Sequence, residues 1–323
     1  MISELQQPLD SGFGAKSEPS EVLEGIDLNG KTALVTGGYS GIGLETTRAL
    51  SDCGARVIVP ARRRDVAIKE LEGIIDKEDI LNLDLADPNS VTKFVEEFLE
   101  TDMNLDILIN NAAVMACPQM PTDNGWDLQF AVNHIGHFIL TKGLIPSLLK
   151  SGDSRVVTLS STGHKLSGIK WDDIHFEDSY DKWQSYGQSK TAASLLAVDL
   201  DSKMKDEGIR ALAVHPGGIF TPLQRHLQQE EMVALGWLNE DGELSEMAAA
   251  GFKSATQGAS TTLWCATNPK LNGIGGVYCE NCDVAERQDD GPNARYVGVA
   301  DWAIDTDEAS RLWEETEKTL ALL

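Results

Sequence analysis

The sequence predicts an α/β protein built on a doubly wound parallel sheet flanked by helices, and three observations predict it. Short, nearly uninterrupted apolar runs recur along the chain with helical patterns between them, which is how strands read when helices cover both faces of a parallel sheet. The first run, Lys31 to Val35, breaks at paired glycines and leads straight into a helical pattern, Leu44 to Leu50. Such a strand–turn–helix unit offers backbone N–H groups and a helix N-terminus to a phosphate. Finally, 323 residues with 41% apolar content can build one large domain or two small ones around a substantial core.

Taken in order, residues 1 to 30 hold six acids, one lysine and two prolines with little periodicity, which predicts a tail lying on the surface or frayed. The turn after the first strand places Gly37, Tyr39, Ser40, Gly41, Ile42 and Gly43 in the spacing G-x-x-x-G-x-G, not the usual G-x-G-x-x-G of dinucleotide folds. A Cβ at those glycines would hold a pyrophosphate off the backbone, and the turn needs open φ/ψ space. A glycine turn that serves packing alone is the competing reading. Further strands are expected at 55–61, 79–83, 105–110, 155–160 and 210–215. Helices are expected from Asp87-Pro88, an N-cap with proline at the first helical position, to about Glu100, and over roughly 124–150 and 182–206.

Two stretches break the βα rhythm. Residues 217–254 turn polar and helical after a strand's carboxyl end, where open α/β sheets bind ligands; the expectation is a helical substrate lid, with a peripheral decoration as the alternative. Residues 283–323 carry eleven acids against four basic residues and end in a helical run from Thr306. That run either packs on the body or meets a partner subunit. The domain reading is an N-terminal tail over 1–30, one α/β domain over 31–285 and an acidic C-terminal extension over 286–323.

A formal charge of −24 argues against a nucleic-acid partner or an anionic membrane surface. No apolar run approaches the ~18 residues of a membrane span, and no secretory signal pattern opens the chain. Five scattered cysteines make no disulfide framework. A soluble, cytoplasmic protein is the expectation. Cys279 and Cys282 form a C-x-x-C with no second Cys/His pair at ligand spacing, so no metal site is assigned. His215 reads as a buried hydrogen-bonding residue.

Chemistry concentrates in Tyr186-Gly187-Gln188-Ser189-Lys190. On a helix, a phenol and an ammonium four residues apart share a face, and a nearby cation favours the phenolate over the phenol. That makes a proton-transfer unit, although such pairs also arise by chance on exposed faces. Ser160 and Ser161 end the fifth strand and could bind a carbonyl oxygen there, or simply cap the following turn.

The second strand ends Pro60-Ala61-Arg62-Arg63-Arg64, with no acid until Asp65. Folds that bind NAD place an acid there for the ribose hydroxyls, whereas guanidinium groups suit a 2′-phosphate. Arg62 at the discriminating position, with Arg63 next, therefore favours NADP(H) over NAD(H). Three arginines opening a solvated helix are the alternative.

These motifs together resemble the short-chain dehydrogenase/reductase family. Thr36 to Gly43 resembles its T-G-x-x-x-G-I-G fingerprint, and Asn110-Asn111-Ala112-Ala113 its N-N-A-G stretch with alanine in the last place. Tyr186 to Lys190 matches its Y-x-x-x-K, and Pro216-Gly217-Gly218-Ile219-Phe220-Thr221 its P-G-x-x-x-T. The likeness spans about residues 28 to 285. Val132-Asn133-His134-Ile135-Gly136-His137-Phe138, with Ser160 to His164, is most similar to the retinol-dehydrogenase-like branch. The resemblance implies a Rossmann-type catalytic domain in which Tyr186 exchanges the proton of a carbonyl/alcohol pair. Lys190 would lower the tyrosine's pKa and hold ribose hydroxyls, Ser161 would bind the substrate oxygen, and Asn133 would hold a relay water. Cofactor contacts would come from the glycine turn, Asp84, Leu85, Asn111, Ala112, Pro216, Gly217, Ile219 and Thr221.

Ser161 and Tyr186 lie 25 positions apart, and the loop between them carries Trp171, His175, Phe176, Tyr180 and Trp183. Aromatics beside the reacting centre imply a bulky apolar substrate; aromatics that merely anchor the loop are the alternative. Members of the family often pair through the helices bearing Asn133 and Tyr186, so a homodimer or homotetramer is expected. The functional expectation is an NADP(H)-dependent oxidoreductase; the alternatives are an NAD(H)-linked alcohol dehydrogenase or a non-catalytic NADP(H)-binding sensor.

Overall fold

The computed structural model describes residues 1–288 and 296–322. Eight strands form a single sheet: β1 (Thr32–Val35), β2 (Arg56–Ala61), β3 (Ile80–Asn82), β4 (Ile107–Asn110), β5 (Ser154–Leu159), β6 (Ile209–His215), β7 (Val277–Glu280) and β8 (Asp283–Val284). Their order is β3-β2-β1-β4-β5-β6-β7-β8. All pairs are parallel except β7 with β8. The direction of winding reverses between β1 and β4, which opens a crevice at the strands' carboxyl ends.

Side-chain alternation along each strand splits the apolar residues into two cores. Leu34, Ile58, Leu108, Val156 and Ala213 face one side, where they meet Phe94, Phe98, Phe138, Leu144 and Leu195. Val35, Val57, Ile109, Leu212 and Val277 face the other and meet Leu50, Leu71, Leu263 and Trp264. The first layer comprises the Pro88–Glu100, Gly136–Ser151 and Lys182–Met204 helices, and the second the Gly41–Asp52 and Ala255–Thr267 helices. Strands covered on both faces need no polar side, which is why their sequence runs are continuously apolar.

Local signals set the helix ends. Asp87 accepts from the Asn89 N–H at 2.9 Å ahead of Pro88, as its sequence predicts. Asp181 caps the long tyrosine-bearing helix by accepting from Trp183 and Gln184. Helix predicted over 124–150 begins at Leu128 and passes through one π-helical turn, Ala131–Ile135, before continuing to Ser151.

The N-terminal stretch departs from expectation, and the C-terminal helix takes the first of its two expected arrangements. Residues 1–30 are built into the body: Val22, Leu23 and Leu28 are buried in the second core. The Gln6 amide donates to the Tyr278 and Ala285 carbonyls and accepts from the Tyr278 N–H. Sparse but well-placed apolar residues and one amide suffice to fix a stretch whose composition suggests fraying. In the acidic extension, residues 289–295 and 323 lie outside the described residues. Its helix Thr306–Leu320 packs on the body, with Trp313 edge-on to Phe138 at 4.6 Å and Thr316 hydrogen-bonded to His134 at 2.9 Å. It therefore packs against both the helical segment of Asn133 and the helix of Tyr186.

The C-x-x-C spacing has a local explanation. Asn281 and Cys282, at φ 52° and 59°, form the two-residue turn between β7 and β8, and two residues at positive φ are what a tight hairpin of this twist requires.

Candidate active site

A cavity of about 500 Å³ opens at the carboxyl edge of the sheet. Its floor is the turn after β1. Gly37 and Gly41 take positive φ (64° and 55°), and Ser40, the N-cap of the Gly41–Asp52 helix, makes no side-chain cap hydrogen bond. The helix thus presents uncapped N–H groups to the cavity, a ready anion seat. Gly43 lies beneath the turn: a Cβ there would stand 2.4 Å from the Gly37 carbonyl oxygen and 2.5 Å from Asn111 Nδ2. The uncapped helix N-terminus at the cavity fits a dinucleotide's pyrophosphate, while Gly43 lets the turn pack closely against Asn111.

Thr36 joins this floor to the strand beside it. Its hydroxyl accepts from the Asn111 and Ala112 N–H groups at 2.9 and 3.0 Å, and Asn111 Nδ2 donates to the Thr36 carbonyl. His137 closes the network, with Nδ1 donating to the Asn133 carbonyl and Nε2 near Thr36 Oγ1. Burial holds its pKa at about 4, so the imidazole is neutral and can accept the threonine proton.

The reacting end is assembled from β5 and the long helix. Ser161 Oγ accepts from the Gly163 N–H at 3.0 Å and hydrogen-bonds the Tyr186 phenol. Lys190 Nζ donates to the Leu159 carbonyl at 2.8 Å and lies 5.7 Å from the Tyr186 ring centre. Burial dominates both titrations. It pushes Tyr186 up to about 12, against the opposing pull of the Ser161 hydrogen bond, and it pushes Lys190 down to about 7. The expected lowering of the tyrosine by the lysine is therefore not what this geometry yields: desolvation favours the neutral form of each group.

Most of the expected residues converge here. Gly37, Tyr39, Ser40, Gly41, Ile42, Arg62, Arg63, Asn111, Ala112, Ser161, Tyr186, Lys190, Pro216, Gly217, Ile219 and Thr221 all line the cavity. Gly43, Asp84, Leu85 and Asn133 do not. Asp84 caps its own turn by accepting from the Ala86 N–H at 3.0 Å, and the Leu85 carbonyl packs against Gly136. The Asn133 side chain is used up in bracing the chain after β4. It donates to the Val114 carbonyl and Ser189 hydroxyl and accepts from the Val114 N–H. The arginine run divides too: Arg64 turns away to bond the Ile80 and Lys77 carbonyls, leaving Arg62 and Arg63 at the cavity.

The loop aromatics correct one expectation. Trp171 bonds Glu308 and stacks under Arg311, His175 stacks on Trp126, and Tyr180 donates to the Cys117 carbonyl. They anchor the loop, and only Trp183 approaches Tyr186, at 6.4 Å between ring centres. The cavity's apolar wall comes instead from Met115, Leu223, Trp237 and Phe252. The last three belong to the segment after β6, whose helix Gln229–Ala234 is tied down by Glu231 to Lys182 Nζ (2.6 Å) and Trp183 Nε1 (2.9 Å). His215 and Arg225 also line the cavity; the sequence offered no periodic or motif signal for Arg225.

A glycine turn and an uncapped helix N-terminus at a sheet's switch point, lining one cavity with a serine–tyrosine pair and a buried lysine, define a dinucleotide-dependent oxidoreductase of the Rossmann type. The family model for short chain dehydrogenases matches residues 31–232, and the chain belongs to the short-chain dehydrogenase/reductase family. It is 36% identical to the short-chain dehydrogenase/reductase prx1 of Penicillium roqueforti over 302 residues, covering 92% of this chain and 86% of that protein. It is 33% identical to human retinol dehydrogenase 14 over 315 residues, covering 92% and 88%. Among solved structures, an uncharacterised protein from Mycobacterium paratuberculosis superposes with a TM-score of 0.70 at 28% identity, covering 92% of this chain and 96% of that one. The protein is thus an NAD(P)-dependent oxidoreductase of the CH–OH/C=O pair. Among the described residues no helix is long and apolar enough to cross a membrane.

Proposed function

We propose that this enzyme uses NADP(H) to interconvert a ketone or aldehyde and its alcohol on a bulky apolar substrate, with Tyr186 as general acid and base. One observation carries the reading. The Ser161–Tyr186 pair, Lys190 and two arginines, Arg62 and Arg63, all line one cavity. The nicotinamide, when bound, supplies or takes the hydride. The turn from Gly37 to Gly43 would hold the pyrophosphate, and Arg62 with Arg63 the 2′-phosphate. Asp84 and Leu85 are outside the cavity lining, and nucleotide binding would have to recruit them as adenine-side contacts.

The chain's own residues account for the proton. With its pKa near 12, Tyr186 is protonated at neutral pH and is a donor to a carbonyl oxygen. Ser161 already has its oxygen occupied by the Gly163 N–H, so its own hydrogen is free to turn from Tyr186 to that same substrate oxygen. Two O–H donors on one oxygen stabilise the negative charge that grows there. Lys190 would bond the nicotinamide ribose, and Asn133 would act by fixing the Val114 segment that borders the cavity, not by touching substrate. The apolar wall of Met115, Leu223, Trp237 and Phe252 favours a substrate whose bulk is hydrophobic.

The test is turnover of NADPH with a panel of bulky ketones and aldehydes, by wild-type protein and Tyr186→Phe. Turnover in the wild type, its loss in the variant and an unchanged NADPH dissociation constant are expected. Undiminished turnover in Tyr186→Phe overturns the mechanism.

A further inference from the structure

The end of the cavity near β2 gathers positive charge that the protein itself does not balance. Arg62 and Arg63 enter from the carboxyl end of β2. A third guanidinium, Arg225, enters from the short helical turn Pro222–His226 that follows β6, and all three line the same cavity. The Arg225 side chain is exposed, yet partial desolvation first, and then repulsion from Arg62 and Arg63, push its pKa down. Among the described residues none of the three pairs with a carboxylate, whereas Arg48, Arg56, Arg210 and Arg287 all do, in a chain with 51 acidic residues.

Arg225 is also held in place. Its Nη1 donates to the Pro222 carbonyl at 2.8 Å, which leaves other N–H groups of the guanidinium for a ligand. Thr221 and Gln224 fix the turn, Thr221 Oγ1 accepting from the Leu223 N–H and Gln224 Nε2 donating to the Ile219 carbonyl. Three like charges brought together without a counter-ion are stabilised by an anion that reaches all of them.

We propose that Arg225 is the third arm of the 2′-phosphate site and holds that phosphate together with Arg62 and Arg63, from a separate element of the fold. The assignment rests on the NADP(H) reading above and extends it to the segment that also carries the apolar substrate wall. A dianionic phosphate satisfies the three guanidiniums, while the ribose hydroxyls of NAD(H) bring no charge to them. Arg225 therefore discriminates between the two cofactors.

Calorimetric titration of the full chain tests this, with NADPH, NADH, adenosine 2′,5′-bisphosphate and ADP as probes on wild type, Arg62→Gln and Arg225→Gln. The side chain is exposed enough for the variant to fold. Arg225→Gln is expected to weaken NADPH and the bisphosphate by roughly tenfold, the scale of one lost charge-assisted contact, with NADH and ADP within twofold. Equal losses for phosphorylated and unphosphorylated nucleotides, or no loss, overturn the assignment. A wild type with no preference for NADPH, together with an indifferent Arg62→Gln, takes the underlying cofactor reading down as well. An NADPH-specific loss in Arg62→Gln alone refutes only the role of Arg225.

Discussion

Lys190 is 3% exposed and has one hydrogen-bond acceptor, the Leu159 carbonyl. Its ammonium therefore opposes folding, and replacing it should show by how much. The fall from its ordinary 10.5 to about 7 corresponds to about 5 kcal/mol between folded and unfolded states, at ~1.36 kcal/mol per pH unit. Lys190→Met keeps the volume and removes the charge, at a cost of about 1 kcal/mol for the donor lost to Leu159. The variant should thus be more stable by about 3–4 kcal/mol at pH 6. With an unfolding entropy of ~2.1 cal/mol/K per residue, that raises Tm by about 5 °C. The sign with pH follows from linkage. Below pH 7 both states of the wild type are protonated and the penalty is complete. Between 7 and 10.5 the folded state has shed a proton that the unfolded state keeps, so the wild type gains about 1.4 kcal/mol per pH unit from this group. The two melting curves should converge near pH 10. Thermal melts of both proteins from pH 6 to 10 measure the gap, and turnover should be lost in the variant throughout. A gap that stays constant with pH, or a variant that melts below wild type at pH 6, refutes the reasoning.

Two other substitutions probe the floor and the wall of the cavity. Gly43→Ala drives a methyl group against the Gly37 carbonyl and Asn111; a loss of about 1–3 kcal/mol is expected from overpacking against backbone, with nucleotide affinity lost alongside it, as urea unfolding and nucleotide titration would measure. Glu231→Ala removes the tie from the post-β6 segment to Lys182 and Trp183. Global stability should fall by about 1 kcal/mol or less, KM for a bulky carbonyl should rise with kcat little changed, and limited proteolysis within 228–251 should quicken.

Legibility in the sequence followed the range of the interaction. The strand runs, the Asp87-Pro88 start and the Tyr186/Lys190 face are set within a few residues by backbone period and capping, and the structure has each where its local pattern puts it. Asn133 was legible as a motif position but not in its contacts, because Val114 and Ser189 reach it from two other elements. The loop aromatics misled for the same reason. Their composition suits a substrate pocket equally well, and only the positions of Trp126, Glu308 and Arg311 turn them into anchors.

By itself the sequence determined the glycine turn, the spacing of tyrosine and lysine and the parallel sheet, and its motifs carried the likeness to the family. The first three rest on helix and strand periods and on the absence of Cβ atoms at glycine, which covalent geometry dictates locally. Tertiary structure alone decided that Arg64 leaves the arginine run while Arg225 joins it. It also decided that residues 1–30 and the helix Thr306–Leu320 belong to the body, and that burial moves Tyr186 and Lys190 toward their neutral forms. Burial and long-range charge depend on which distant segments close over a residue, and no local pattern encodes that.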